Sequence, residues 1–167
     1  MSEKHEKAPV TAAIRVLRQH GVAFGEHLYD YEEKGGTEVS ARELGVPEHA
    51  VIKTLVMQDE AGKPLIVLMH GDCEVSTKNL ARLLGKKTIA PCSPEVANKH
   101  SGYLVGGTSP FGTHKAMPVY MQESILGLER IYINGGKRGF LVSMKPSEAQ
   151  GILQARMVDV AIGHGAD

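Results

Sequence analysis

The chain has no tryptophan, three phenylalanines and five tyrosines among its 167 residues, so any core it builds must be aliphatic. Its only cysteines, Cys73 and Cys92, stand nineteen positions apart and fit neither a disulfide framework nor a metal-ligand spacing, which leaves a pair of reduced thiols as the simpler reading. Charge of one sign is also missing. Nineteen basic residues balance nineteen acidic ones, which excludes coating long nucleic acid through phosphate neutralisation but not a short RNA contact. No apolar run approaches the ~20 residues of a membrane span, and the polar start Met1-Ser2-Glu3-Lys4-His5-Glu6-Lys7 lacks the apolar centre of a secretory signal. The expectation is a cytoplasmic protein with no membrane or DNA partner. Gly-x-Ser-x-Gly, His-Glu-x-x-His, Cys-x-x-Cys and Walker or dinucleotide glycine patterns are all absent, so neither a cofactor nor a metal is expected.

What remains is the size of one domain, 1–167, with helix and strand signals interleaved. Val10, Ala13, Ile14 and Leu17 share a helical face over 10–20, between Pro9 and Gly21. Phe24 to Tyr31 alternates loosely, and the run 32–36 reads as a loop. Ser40-Ala41-Arg42-Glu43 has the capping-box form, predicting a short helix that starts at Ser40 and ends at Gly45. Ile52–Met57 and Leu65–Met69 predict a buried hairpin. Ser76 and Ser93-Pro94 open two further helices. Short strands are expected at 103–105, 119–121, 130–133 and 140–143, and a last helix over 146–154. Such a pattern predicts an α/β fold: a mixed, barrel-like curved sheet with surrounding helices.

Two glycine clusters and one lysine stand out. In Gly102-Tyr103-Leu104-Val105-Gly106-Gly107-Thr108-Ser109-Pro110-Phe111-Gly112, glycine amides can approach a ligand with no Cβ between them, so Gly106 and Gly107 are candidate donors to a phosphate or oxyanion. The same glycines would equally serve a corner that needs them for shape alone. Gly135-Gly136-Lys137-Arg138-Gly139 reads as a hairpin turn with solvated charges or as a phosphate clamp. Lys53, in Val51-Ile52-Lys53-Thr54-Leu55, must either snorkel outward or face a polar cleft. Ser109 has no recognisable base partner, which gives a serine nucleophile little support.

At these residues the chain resembles the YbaK family of Cys-tRNA(Pro) deacylases, which includes the editing insertion domain of bacterial prolyl-tRNA synthetases. The likeness is densest at Ile52-Lys53-Thr54-Leu55, at Ser101 to Gly107 with Ser109, Pro110 and Gly112, and at Gly135 to Gly139. It implies hydrolysis of the ester joining a wrong amino acid to the terminal ribose of a tRNA, with the substrate assisting its own cleavage. It further implies that Lys53 is most important for activity, that Gly106 with Thr108, Ser109 and Pro110 lines the aminoacyl pocket, and that Tyr29 lies near it. Lys115, Lys137 and Arg138 are expected to hold the acceptor end, and prolyl-tRNA synthetase is the implied partner. Leu141 stands where familiar members carry an aspartate, so deacylation follows more directly from the likeness than does the amino acid removed. Two other classes remain: a non-catalytic module binding aminoacyl-tRNA or a nucleotide, and an interaction protein whose glycines only turn corners.

Overall fold

The computed structural model describes residues 8–163; the polar segment 1–7 read above lies outside the described residues. Thr11 opens α1 (Ala12–His20) by accepting the Ile14 N–H at 3.1 Å, and Ala13, Ile14 and Leu17 are buried as their spacing predicts. Val10 precedes the helix and is exposed instead. After β1 (Gly25–Leu28), α2 (Gly36–Leu44) begins one turn earlier than the capping pattern implied. Ser40 is therefore interior to it, and its hydroxyl donates back to the Thr37 carbonyl at 3.1 Å rather than capping.

The expected hairpin forms from β2 (Val51–Asp59) and β3 (Pro64–His70). One Asp59 carboxylate oxygen closes its turn by accepting the Ala61 and Lys63 N–H groups at 2.9 and 3.0 Å. Next come β4 (Cys73–Val75), α3 (Thr77–Leu84) capped by Ser76, β5 (Ile89–Pro91) and α4 (Pro94–Ser101) capped by Ser93. The segment 103–105 is not a strand. Tyr103 turns inward and donates its hydroxyl to the Phe111 carbonyl at 2.6 Å, while Leu104 and Val105 are exposed on a tight turn. Then follow β6 (Val119–Gln122), β7 (Ile131–Lys137), β8 (Phe140–Met144), α5 (Pro146–Leu153), β9 (Arg156–Val158) and β10 (Ala161–Gly163).

The mixed sheet runs β1-β8-β7-β2-β3-β6-β9, with β5 joined to the far part of β2, while β10 pairs with β4 alone. Strand β2 shares one edge between two partners, parallel β7 at Val51–Ile52 and antiparallel β5 at Met57–Asp59, as a strand in a strongly curved sheet must. Ile52 and Val56 face a core built with α1, α4 and α5. The opposite face is divided. Val51 packs with Leu141 and with Ala41 of α2, whereas Leu55 and Met57 pack with Leu80 and Ala81 of α3. No helix among the described residues is long and apolar enough to cross a membrane.

Candidate active site

Lys53 occupies the gap in that divided face. Side chains alternate along a strand, so Lys53 points to the same side as Val51 and Leu55, between the α2 and α3 patches, and its ladder partner on β3 is Met69. Its side chain is 20% exposed and its ammonium lies 3.6 Å from the Glu74 carboxylate. An ammonium held between apolar patches is oriented by its stem and keeps only its tip polar.

The neighbouring strand links this lysine to the glycine loop. Val51 pairs with Tyr132 of β7, so Asn134, two residues on, shares the lysine's face. The Asn134 amide nitrogen donates to the Gly106 carbonyl at 3.2 Å, and its oxygen accepts the Gly136 and Lys137 N–H groups at 2.6 and 3.1 Å. One side chain thus fastens both glycine clusters to each other. Arg138 adds a second tie, donating to the Val105 carbonyl at 2.9 Å with its guanidinium over the Tyr31 ring.

Gly106 has φ +94°, and a Cβ built there would lie 2.6 Å from the Tyr31 hydroxyl. At Gly107 a Cβ would lie 2.7 Å from the Arg138 nitrogen, so the two clusters meet backbone to backbone. Of the two candidate amides, the Gly107 N–H donates to the Leu104 carbonyl at 2.8 Å, whereas the Gly106 N–H meets no acceptor among the described residues. Ser109 and Pro110 were expected at the lining of the aminoacyl pocket. Both are buried beneath the loop, and the Ser109 hydroxyl accepts the Phe111 N–H at 3.1 Å. Thr108 is nearly as buried, its hydroxyl directed to the Leu104 carbonyl.

Tyr29 packs with Val51 and Leu141, on the lysine's side of the sheet. Burial is the main cause that raises its phenol pKa. Leu141 pairs with Asn134 across the β7–β8 ladder and is buried, so the wall beside Tyr29 is apolar where a carboxylate was the familiar feature. Lys137 and Arg138 sit at the hairpin tip beside the loop, but Lys115 is exposed after α4, its main chain bonded to His100. Sequence reasoning missed Asn134 and Tyr31. Asn134 directly precedes the glycine pair, a placement typical of a side chain that closes a turn; Tyr31 carries no local signal.

A cavity of about 490 Å³ lies elsewhere, along α3, lined by Lys78, Arg82, Lys86, Lys87 and Thr88. It is basic, a surface suited to phosphates, and it includes none of the residues singled out from sequence.

The model of the aminoacyl-tRNA editing domain matches residues 32–152. EbsC of Enterococcus faecalis, provisionally named a Cys-tRNA(Pro)/Cys-tRNA(Cys) deacylase, is 27% identical over 151 residues, which are 90% of this chain and 92% of that protein. A proline–tRNA ligase of Thermodesulfovibrio yellowstonii is 33% identical over 113 residues, 68% of this chain but only 19% of the ligase. Among solved structures, the hypothetical protein APE2540 superposes with a TM-score of 0.84 at 22% identity, covering 91% of this chain and all of that one. A structure provisionally described as a trans-editing enzyme for prolyl-tRNA synthetase gives 0.79 at 23% identity, covering 93% of this chain and all of its own. At these identities the structural likeness concerns the fold alone.

Proposed function

Because the chain belongs to the family of aminoacyl-tRNA editing domains, we propose that it hydrolyses the ester of a mischarged tRNA in trans, with Cys-tRNA(Pro) as its principal substrate. The observation that carries this reading is the Asn134 bridge, which holds the Gly106 loop on the sheet face from which Lys53 projects.

An aminoacyl ester is already activated, so the site needs to orient it and stabilise the oxyanion that forms as water attacks. The Gly106 N–H is an uncommitted donor on a loop braced from both sides, and Lys53 supplies a positive charge on the same face of the sheet. Such preorganised donors are worth about 10²–10³ in rate each. Ser109 is unsuited as a nucleophile, since it is wholly buried and already hydrogen-bonded to Phe111. The hydroxyl or thiol of the substrate itself can assist in its place.

The apolar wall of Tyr29 and Leu141 suits a small side chain that brings little charge, which favours cysteine or alanine over polar residues. On this reading Lys137 and Arg138, at the hairpin tip beside the loop, would meet phosphates of the tRNA 3′ end, and prolyl-tRNA synthetase would supply the mischarged substrate. The test is hydrolysis of a panel of aminoacyl-tRNAs headed by Cys-tRNA(Pro) and Ala-tRNA(Pro). Release of cysteine by the wild type, lost in Lys53→Ala with unchanged circular dichroism, is expected. Tight binding without hydrolysis across the panel would replace the enzyme by a capture module.

A further inference from the structure

His49 lies on the 3₁₀ turn Glu48–Ala50, Asp72 on the β3–β4 connection and Cys73 at the start of β4, so the histidine is far in sequence from the other two. In space they converge on one atom. The Asp72 Oδ1 lies 2.8 Å from His49 Nδ1 and 3.6 Å from Cys73 Sγ, and one ligand atom from each of the three residues falls within 4.8 Å of the others. An ion pair would need only the histidine and the carboxylate. The thiol turned onto the same oxygen completes a nitrogen–oxygen–sulfur triangle.

We propose that this triangle is a site for a borderline-soft divalent cation such as zinc. Ligand bonds of about 2.0 Å to nitrogen and oxygen and about 2.3 Å to sulfur put tetrahedral ligand atoms roughly 3.3–3.6 Å apart; the oxygen–sulfur pair already fits, the nitrogen–oxygen pair must open by about half an ångström to admit an ion, and the 4.8 Å limit on the set leaves little more than about an ångström of closure for the remaining pair. Its supports are already fixed. The Gly71 N–H donates to the Val51 carbonyl at 2.7 Å, and the Thr37 hydroxyl donates to the Gly71 carbonyl at 3.1 Å, pinning the chain that carries Asp72 and Cys73. The His70 ring stacks on His49 at 3.6 Å, its Nδ1 bonded to the His49 carbonyl and its Nε2 to Ser124. Supporting contacts of this kind orient metal ligands. His49 is exposed and Asp72 half-buried, so an ion has a path in, and the fourth position is left for water.

The triangle adjoins the lysine. Cys73 is followed by Glu74, whose carboxylate is the neighbour of the Lys53 ammonium, and a second cation at Cys73 competes for that carboxylate and repels the ammonium. Where the chain acts as the deacylase proposed above, the ion is an inhibitor.

Cobalt(II) titrated into the metal-free full chain gives the direct readout. A 1:1 complex with a thiolate charge-transfer band in the near ultraviolet and tetrahedral bands in the red is expected. Zinc should displace it, and Cys73→Ser should remove the charge-transfer band. His49→Ala, at an exposed position, should weaken binding by at least about tenfold, and Cys92→Ser should change nothing. Absence of the band in the wild type, or its survival in Cys73→Ser, overturns the site. These spectra do not depend on hydrolysis, so failure of the deacylase reading leaves them standing. If hydrolysis is observed, zinc slowing the wild type but not Cys73→Ser supports the coupling to Lys53, and equal inhibition of both overturns it.

Discussion

Replacing Gly106 by alanine perturbs the site by a single carbon, and the structure gives its cost in two separable parts. The backbone there has φ +94°, a region in which an L-residue is strained by about 1–2 kcal/mol. The new Cβ also lies 2.6 Å from the Tyr31 hydroxyl and 3.3 Å from Arg138 Nε, tips of flexible side chains that must swing aside at a smaller cost and so disturb the ties holding the loop. Together they should lower Tm by several degrees, since a chain of this size loses about 2–4 °C per kcal/mol. The larger effect is on hydrolysis: relief of the clash moves the loop that aims the Gly106 N–H, and losing one oxyanion donor costs about 10²–10³ in rate. Single-turnover hydrolysis of Cys-tRNA(Pro) measures this apart from product release. The companion Gly106→Ala/Tyr31→Phe removes the hydroxyl but not the strain, so it should recover part of the stability and part of the rate. Undiminished hydrolysis in Gly106→Ala would refute the assignment of that amide.

Asn134→Ala severs the bond to the Gly106 carbonyl and two bonds in the hairpin; kcat should fall well beyond any change in KM, and equal changes in both would mean the bridge only helps binding. Tyr103→Phe leaves the buried Phe111 carbonyl unpaired, and denaturant unfolding should show a loss of about 1–3 kcal/mol. Asp59 has its pKa lowered first by the Lys63 N–H, with Ala61 and Lys86 contributing, so its stabilising effect is complete above the unfolded value of about 3.9 and fades as the pH falls through the lower folded value. Asp59→Asn should therefore melt earlier than wild type at pH 7, and the difference should close in strong acid; a difference independent of pH would show that charge is not the cause.

Strong local patterns carried most of the fold. The α1 stripe, the Ser76 and Ser93 caps and the 52–69 hairpin appear where their spacing puts them, because each is decided by neighbours within a few residues. The helix start at Ser40 failed because Thr37 is anchored by Glu48 and Gly71, contacts made by distant chain. The apolar run 103–105 failed for a related reason: Tyr103 is claimed by Phe111, so the run turns instead of pairing. Strands β4, β5, β9 and β10, three residues each, are too short to leave a periodic signal. At the site, Lys53 and Gly106 were legible as unusual residues in their settings. The Asn134 tie that holds the Gly106 loop on the lysine's face of the sheet was not, because a cross-strand neighbour is a property of register.

The two halves of the site are mounted differently. Lys53 rides on a strand paired with β3 along its length and flanked on its other edge by β7 just before it, so its main chain should exchange its amide hydrogen more slowly than the glycine loop does. Gly106 hangs from side-chain ties, with its own N–H uncommitted, and should exchange in the fastest class. In the site proposed above, a charge fixed by the sheet and an amide on an adjustable loop would let one scaffold accept acyl groups of different bulk, the sheet setting the reference point and the loop absorbing the variation.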